Sequence, residues 1–121
     1  MYLEPIREIA ASVLYLDDPS ELGEGQPLAE HGFSSIDYID LCFEMKGQIS
    51  DKITPENLWP FNAMATQQEY FDGENWTEAG WNKVSGLLGL DERQERLSPA
   101  ELVVFFTPKT LSRRIEQILS D

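Results

Sequence analysis

The sequence predicts an all-α fold, and three observations carry that expectation. Apolar residues recur at three- and four-residue steps in segments at both ends of the chain and in two segments between them. Ser or Thr caps mark helix starts at Ser34, Thr54, Ser98 and Thr107, the last three each followed by proline. Only the run Leu102 to Phe106 reads as a β-strand, and with no second convincing strand to pair with it is assigned to helix.

The first helix is expected over Leu3–Leu16. Ile6, Ile9, Ala10, Val13 and Leu14 line one side, Pro5 sits in the first turn, and Asp17, Asp18, Pro19 and Ser20 break it. A long connection punctuated by Gly23, Gly25 and Pro27 follows, with Leu22 and Leu28 as its anchors to the core. The second helix is expected from Ser35 to about Lys46. Ser34 is the cap, Asp37 complements the helix dipole, and Gly47 is the stop. Ile39, Cys42 and Phe43 make its apolar stripe, with Tyr38, Leu41 and Met45 beside them, while Asp37, Asp40 and Glu44 recur on an outer face.

From about residue 50 to 97 the chain is less regular and richer in aromatics. Thr54-Pro55 opens a short helical turn that Pro60 stops, and a further short helix is expected within Phe61–Phe71. Thr77–Leu88 carries Trp81, Val84, Leu87 and Leu88 at helical spacing before a Gly89 stop. Ser98-Pro99-Ala100-Glu101 then opens a helix to Phe106. Thr107-Pro108 opens the last one, with Leu111, Ile115, Ile118 and Leu119 on its apolar side.

With 121 residues, the chain is read as a single domain over 1–121 that can bury a modest core. Three Trp, four Tyr and six Phe argue for a folded protein despite the excess of 22 acids over 9 bases. The resulting net charge of -13 disfavours nucleic acid and anionic membranes as partners and favours basic protein surfaces or cations. One cysteine and one histidine remove a disulfide framework, a zinc cluster and most acid–base constellations, so no metal is expected. Neither a signal segment nor a bilayer-length apolar run is visible, and a cytoplasmic protein is the expectation.

The segment Leu28–Met45 resembles the modification site of acyl carrier proteins, in which a Gly-x-Asp-Ser-Leu pattern precedes an acidic second helix. Here the pattern is Gly32, Phe33, Ser34, Ser35, Ile36. Ser35 matches the modified serine, Ile36 the apolar residue after it and Asp37 the following acid; the family's aspartate is replaced by Ser34, itself a good helix cap. The flanking helices match the family's four-helix plan in order and type. Residues 50–97 stand outside it as an insertion between the second and third helices, with Ser98–Phe106 taking the third position.

The resemblance implies a non-catalytic carrier. A 4′-phosphopantetheine arm from coenzyme A would be attached to Ser35 by a phosphopantetheinyl transferase, and Ser34 would cap the helix. Ile36, Asp37, Asp40, Phe43 and Glu44 would meet acyl-processing synthases and acyltransferases through their basic docking patches. Fatty-acid, other specialised lipid or polyketide-type biosynthesis is the implied setting, and a monomer the implied state. A peptidyl or aminoacyl carrier is the nearest alternative, and an unmodified carrier-like interaction module the next. A Ser35–His31 hydrolase lacks a Gly-x-Ser-x-Gly elbow. The insert aromatics read first as a satellite core. The alternative is that Trp59, Phe61, Trp76 and Trp81 extend the apolar space for an acyl chain or form a partner surface; carriers serving lipid A assembly show comparable lengthening.

Overall fold

The computed structural model describes residues 2–120, which form an all-α helical bundle. Its α-helices are α1 (Leu3–Val13), α2 (Ser35–Gln48), α3 (Pro55–Leu58), α4 (Phe61–Met64), α5 (Glu78–Leu88) and α6 (Pro108–Leu119). Three 3-10 turns cover Pro19–Glu21, Leu28–His31 and Glu101–Phe105. Among the described residues no β-strand forms; Phe71 and Trp76 make one isolated antiparallel bridge.

Helices α1, α2 and α6 enclose the main core. Ile6, Ile9, Ala10, Leu41, Cys42, Met45, Leu111 and Ile115 meet there with Ile53, Leu58 and Phe106. The long loop is pinned to this core by Leu22 and Leu28, both fully buried as expected, and each such burial contributes about 2 kcal/mol. Backbone bonds fix it as well: Leu28 N–H donates to the Phe106 carbonyl at 3.0 Å and Lys109 N–H to that of Glu24 at 2.8 Å. The Tyr2 N–H donates to Ser112 Oγ at 3.1 Å, tying the start of α1 to α6. Arg114 of α6 is buried and donates to the carbonyls of Leu58 and Asn57, where α3 ends with carbonyls that have no helical partner.

A second core lies alongside, built by the insert. Phe61, Met64, Trp76, Trp81, Val84, Leu88 and Leu102 are buried in it, and Trp59 packs against both cores. Three of the four insert aromatics singled out from sequence, Phe61, Trp76 and Trp81, therefore hold the extra helices together.

Several boundaries differ from expectation. Helix α1 ends at Val13, three residues early. Tyr15 adopts a left-handed φ of 58°, its N–H donates to the Ser12 carbonyl, and Leu16 N–H reaches back to that of Ala11 at 2.8 Å. This Schellman closure turns Leu16 back against the main core. Helix α2 runs two residues further than expected, through Gly47 to Gln48, and its capping residue Ile49 packs against the main core. The apolar stripe of α2 is also corrected. Leu41, Cys42 and Met45 are buried with Tyr38 beside them, whereas Ile39 and Phe43 are 56 % and 74 % exposed.

The expected third helix is a five-residue 3-10 turn, Glu101–Phe105. The reciprocal bonds expected of Ser98 and Glu101 do form, Glu101 N–H donating to Ser98 Oγ and Ser98 N–H to the Glu101 carboxylate at 2.9 Å, but Pro99 and Ala100 lie in a turn and the helical segment starts two residues later than expected, at Glu101. It cannot lengthen because Thr107 precedes Pro108 and is held extended, while the Phe106 carbonyl is committed to Leu28. Leu102 and Phe106 bury, and the branched Val103 and Val104 face outward.

Candidate functional site

The first turn of α2 assigns different work to two adjacent serines. Gly32 closes the preceding 3-10 turn with a φ of 81°, a conformation that a Cβ would strain. Ser34 follows in extended conformation as the cap. Its Oγ accepts from Asp37 N–H at 3.3 Å and donates to Asp37 Oδ2 at 3.0 Å, and Ser34 N–H donates to Asp37 Oδ2 at 2.8 Å. Ser35 is the first helical residue, exposed, and its hydroxyl takes no part in this capping box.

An aromatic cleft of about 250 Å³ opens beside the serines, and Ser34 and Ser35 form part of its wall. Phe33, Tyr38, Trp59 and Phe106 supply the rings, with Val103 and Asn62 at its remaining edges. The rings brace one another. Phe33 and Tyr38 stand edge-on to Phe106 at 5.3 and 5.8 Å between centroids, and Trp59 lies 5.0 Å from Phe106 and 4.7 Å from Phe61. The Tyr38 hydroxyl donates to the Pro55 carbonyl at 2.5 Å. Of the insert residues named from sequence, Trp59 alone reaches this cleft. Two larger open grooves lie elsewhere, one beside Arg114 and one beside Lys109 and Arg113.

The outer face of α2 is both apolar and acidic. Ile36 and Phe43 are each 74 % exposed, and Asp40 and Glu44 are exposed next to them. Spacings of three, four and seven residues place these side chains along one side of the helix. Asp37 is half-buried and engaged in the cap, so it adds charge to this face more than reach. His31 ends the turn before Gly32, and its Nε2 is buried with no hydrogen-bond partner among the described residues.

Behind the site, burial pushes the Cys42 thiol up to about 11, with the Glu56 carboxylate adding to the rise and the Tyr38 hydrogen bond opposing it. Burial likewise raises the neighbouring Tyr38 phenol. A thiol in an unfolded chain titrates near ~8.5, so the native state keeps its proton to higher pH. Stability from Cys42 is then fully present below that value and is lost as pH rises toward about 11. The expected loss is on the order of 2 kcal/mol, read from urea midpoints between pH 7 and 10.5. Cys42→Ala should flatten part of that slope; an unchanged slope would show that the thiol is not its source.

Sequence reading placed Ser34 as the cap of α2 and Asp40 and Glu44 on its exposed face, but set Ile39 and Phe43 in the buried stripe. It missed the cleft, whose walls come from residues 33, 38, 59, 62, 103 and 106; Trp59 and the turn before Pro108 were visible signals, but their convergence was not. Among the described residues no cluster of three or more His, Cys, Asp or Glu is placed to hold a metal ion, and no helix is long and apolar enough to cross a membrane. No protein-family model, curated protein sequence or solved structure matches the chain.

Proposed function

We propose that this chain is a non-catalytic carrier whose Ser35 takes a 4′-phosphopantetheine arm and which holds acyl intermediates in specialised lipid or polyketide-type biosynthesis. The observation that carries this reading is the separation of the two serines. Ser34 is spent on the capping box, and Ser35 stands exposed at the start of a 14-residue helix beside an aromatic cleft. The residues present fit such an arm. A phosphodiester on Ser35 lies at the positive end of the α2 dipole, and its apolar continuation has a cleft to meet. When attached, the arm supplies a terminal thiol that holds cargo as a thioester.

The chain's own residues have three tasks in this reading. Ser35 offers its Oγ to the transferase that moves the arm from coenzyme A. Ser34 and Asp37 hold the helix start so that this hydroxyl keeps one position. Ile36, Asp40, Phe43 and Glu44 present a contact that pairs exposed apolar area with negative charge, suited to basic patches on a transferase and on acyl-processing enzymes. In this scheme α1, α2 and α6 take the places of the three long carrier helices, and the turn at Glu101–Phe105 that of the short one. A cytoplasmic monomer is the form this reading implies.

Intact mass after incubation with coenzyme A and a broad-specificity transferase tests the proposal. The wild type is expected to gain one phosphopantetheine, and Ser35→Ala none. Ser34→Ala should still be modified, though less stable by about 1 kcal/mol through loss of the cap. An unmodified wild type, or equal gain by Ser35→Ala, overturns the carrier reading and leaves α2 as the face of an interaction module.

A further inference from the structure

We infer that the aromatic cleft beside Ser35 is the resting dock of the arm itself, and that Trp59 from the insert is its principal contact. This rests on the carrier reading and adds what the insert does for it. Because Ser35 forms part of the cleft wall, the atoms nearest the attachment point reach the cleft first. Beyond the phosphate those atoms are a methylene, a carbon bearing two methyl groups, then a carbon bearing a hydroxyl and an amide. The dimethyl carbon suits a space walled by Phe33, Tyr38, Trp59 and Phe106, and the Asn62 amide at the edge can donate to or accept from the polar groups that follow. The Tyr38 hydroxyl is committed to Pro55, so Tyr38 contributes its ring.

Size and stiffness support the same occupant. A cavity of about 150 Å³ accommodates a benzene ring, so about 250 Å³ takes one branched aliphatic unit with an adjoining amide and leaves no room for a long acyl chain as well. Phe106 touches three of the rings and Trp59 is held between Phe106 and Phe61, which keeps the cleft open in the absence of an occupant. Phe61, Trp76 and Trp81 are occupied in the second core. The insert thus acts on the near end of the arm, and the thiol end with its cargo is left outside the cleft.

Nuclear magnetic resonance on the full chain tests this. The protein is first converted to the arm-bearing form and checked by intact mass, so failure at that step counts against the carrier reading and not the dock. The three tryptophans give separate indole N–H signals. On conversion the Trp59 signal is expected to shift and the arm's two methyl groups to show cross-relaxation with its ring. The Trp76 signal, whose indole N–H donates to the Leu97 carbonyl at 2.7 Å, should stay in place. Adding short or long acyl groups to the thiol should leave these contacts unchanged. Val103→Asp places a charge at the half-exposed cleft edge, at a residue that belongs to neither core, and is expected to reduce the cross-relaxation several-fold. No methyl contact in the arm-bearing protein, or contacts that appear only after acylation, overturns the proposal; the latter result assigns the cleft to the cargo.

Discussion

Gly80→Ala is expected to destabilise the protein by about 3 kcal/mol, since no other glycine of the chain would bring an added methyl group so close to its neighbours. Gly80 is buried in the first turn of α5, over the carbonyl of Tyr70. An added Cβ would stand 2.0 Å from that oxygen, 2.7 Å from its carbon and 2.9 Å from the Tyr70 Cα. These atoms are backbone, so no rotamer change relieves the overlap. They are also fixed from both sides: Thr77 N–H donates to the Tyr70 carbonyl at 2.9 Å, and Thr77 Oγ1 donates to that of Glu69 while accepting from Gly80 N–H. Relief would require α5 to lift from the Tyr70–Thr77 segment, which separates Trp81 and Val84 from their core.

The opposing effect is smaller. Alanine inside a helix normally gains about 0.5–1 kcal/mol over glycine. Gly86, six residues on in the same helix, meets nothing within 4 Å of an added Cβ and is exposed, so Gly86→Ala should show that gain alone. Urea unfolding of the two variants against wild type decides the matter. Equal and opposite signs relative to wild type are not required, but a Gly80→Ala midpoint at or above that of Gly86→Ala would contradict the packing described for α5.

How much of this was legible in the sequence follows from the range of the interactions. The starts of α2, α3 and α6 were readable because Ser34, Thr54 and Thr107 act on atoms three residues away. The burial of Leu22 and Leu28 was readable because few other residues in their loop are apolar. Which side of α2 faces inward was not readable. Its apolar residues surround most of the helix, and only contact with α1 and the rest of the main core selects Leu41, Cys42 and Met45 over Ile39 and Phe43. The need for glycine at position 80 was likewise hidden, since Tyr70 meets it through a turn whose path the sequence does not declare. The cleft was the least visible feature, being assembled from three separate stretches of chain, 33–38, 59–62 and 103–106.

Trp76→Ala is expected to cost about 3–5 kcal/mol and to loosen the second core while the first stays folded. Trp76 is 2 % exposed and stands edge-on to Phe71 at 5.3 Å. It also ties down the irregular stretch between α5 and the turn at Glu101. Its indole N–H donates to the Leu97 carbonyl at 2.7 Å, and its own carbonyl accepts from the Arg96 guanidinium at 3.0 Å. Replacement by alanine removes the ring and the indole bond together and leaves its space in the second core, which also holds Leu102 and the α5 residues Trp81, Val84 and Leu88. Trp76→Phe keeps most of the apolar area but leaves Leu97 without its donor, so a smaller loss of about 1–2 kcal/mol is expected. Amide hydrogen exchange then locates the damage. In Trp76→Ala the amides of α5 should lose protection while those of α1, α2 and α6 keep theirs, because the main core contains Ile6, Leu41, Met45 and Leu111 and no part of Trp76. Trp59 limits how far this separation goes, since it packs on both cores. Uniform loss of protection across α1, α2, α5 and α6 would show that the two cores unfold as one, and that the insert supports the whole bundle as well as the cleft beside Ser35.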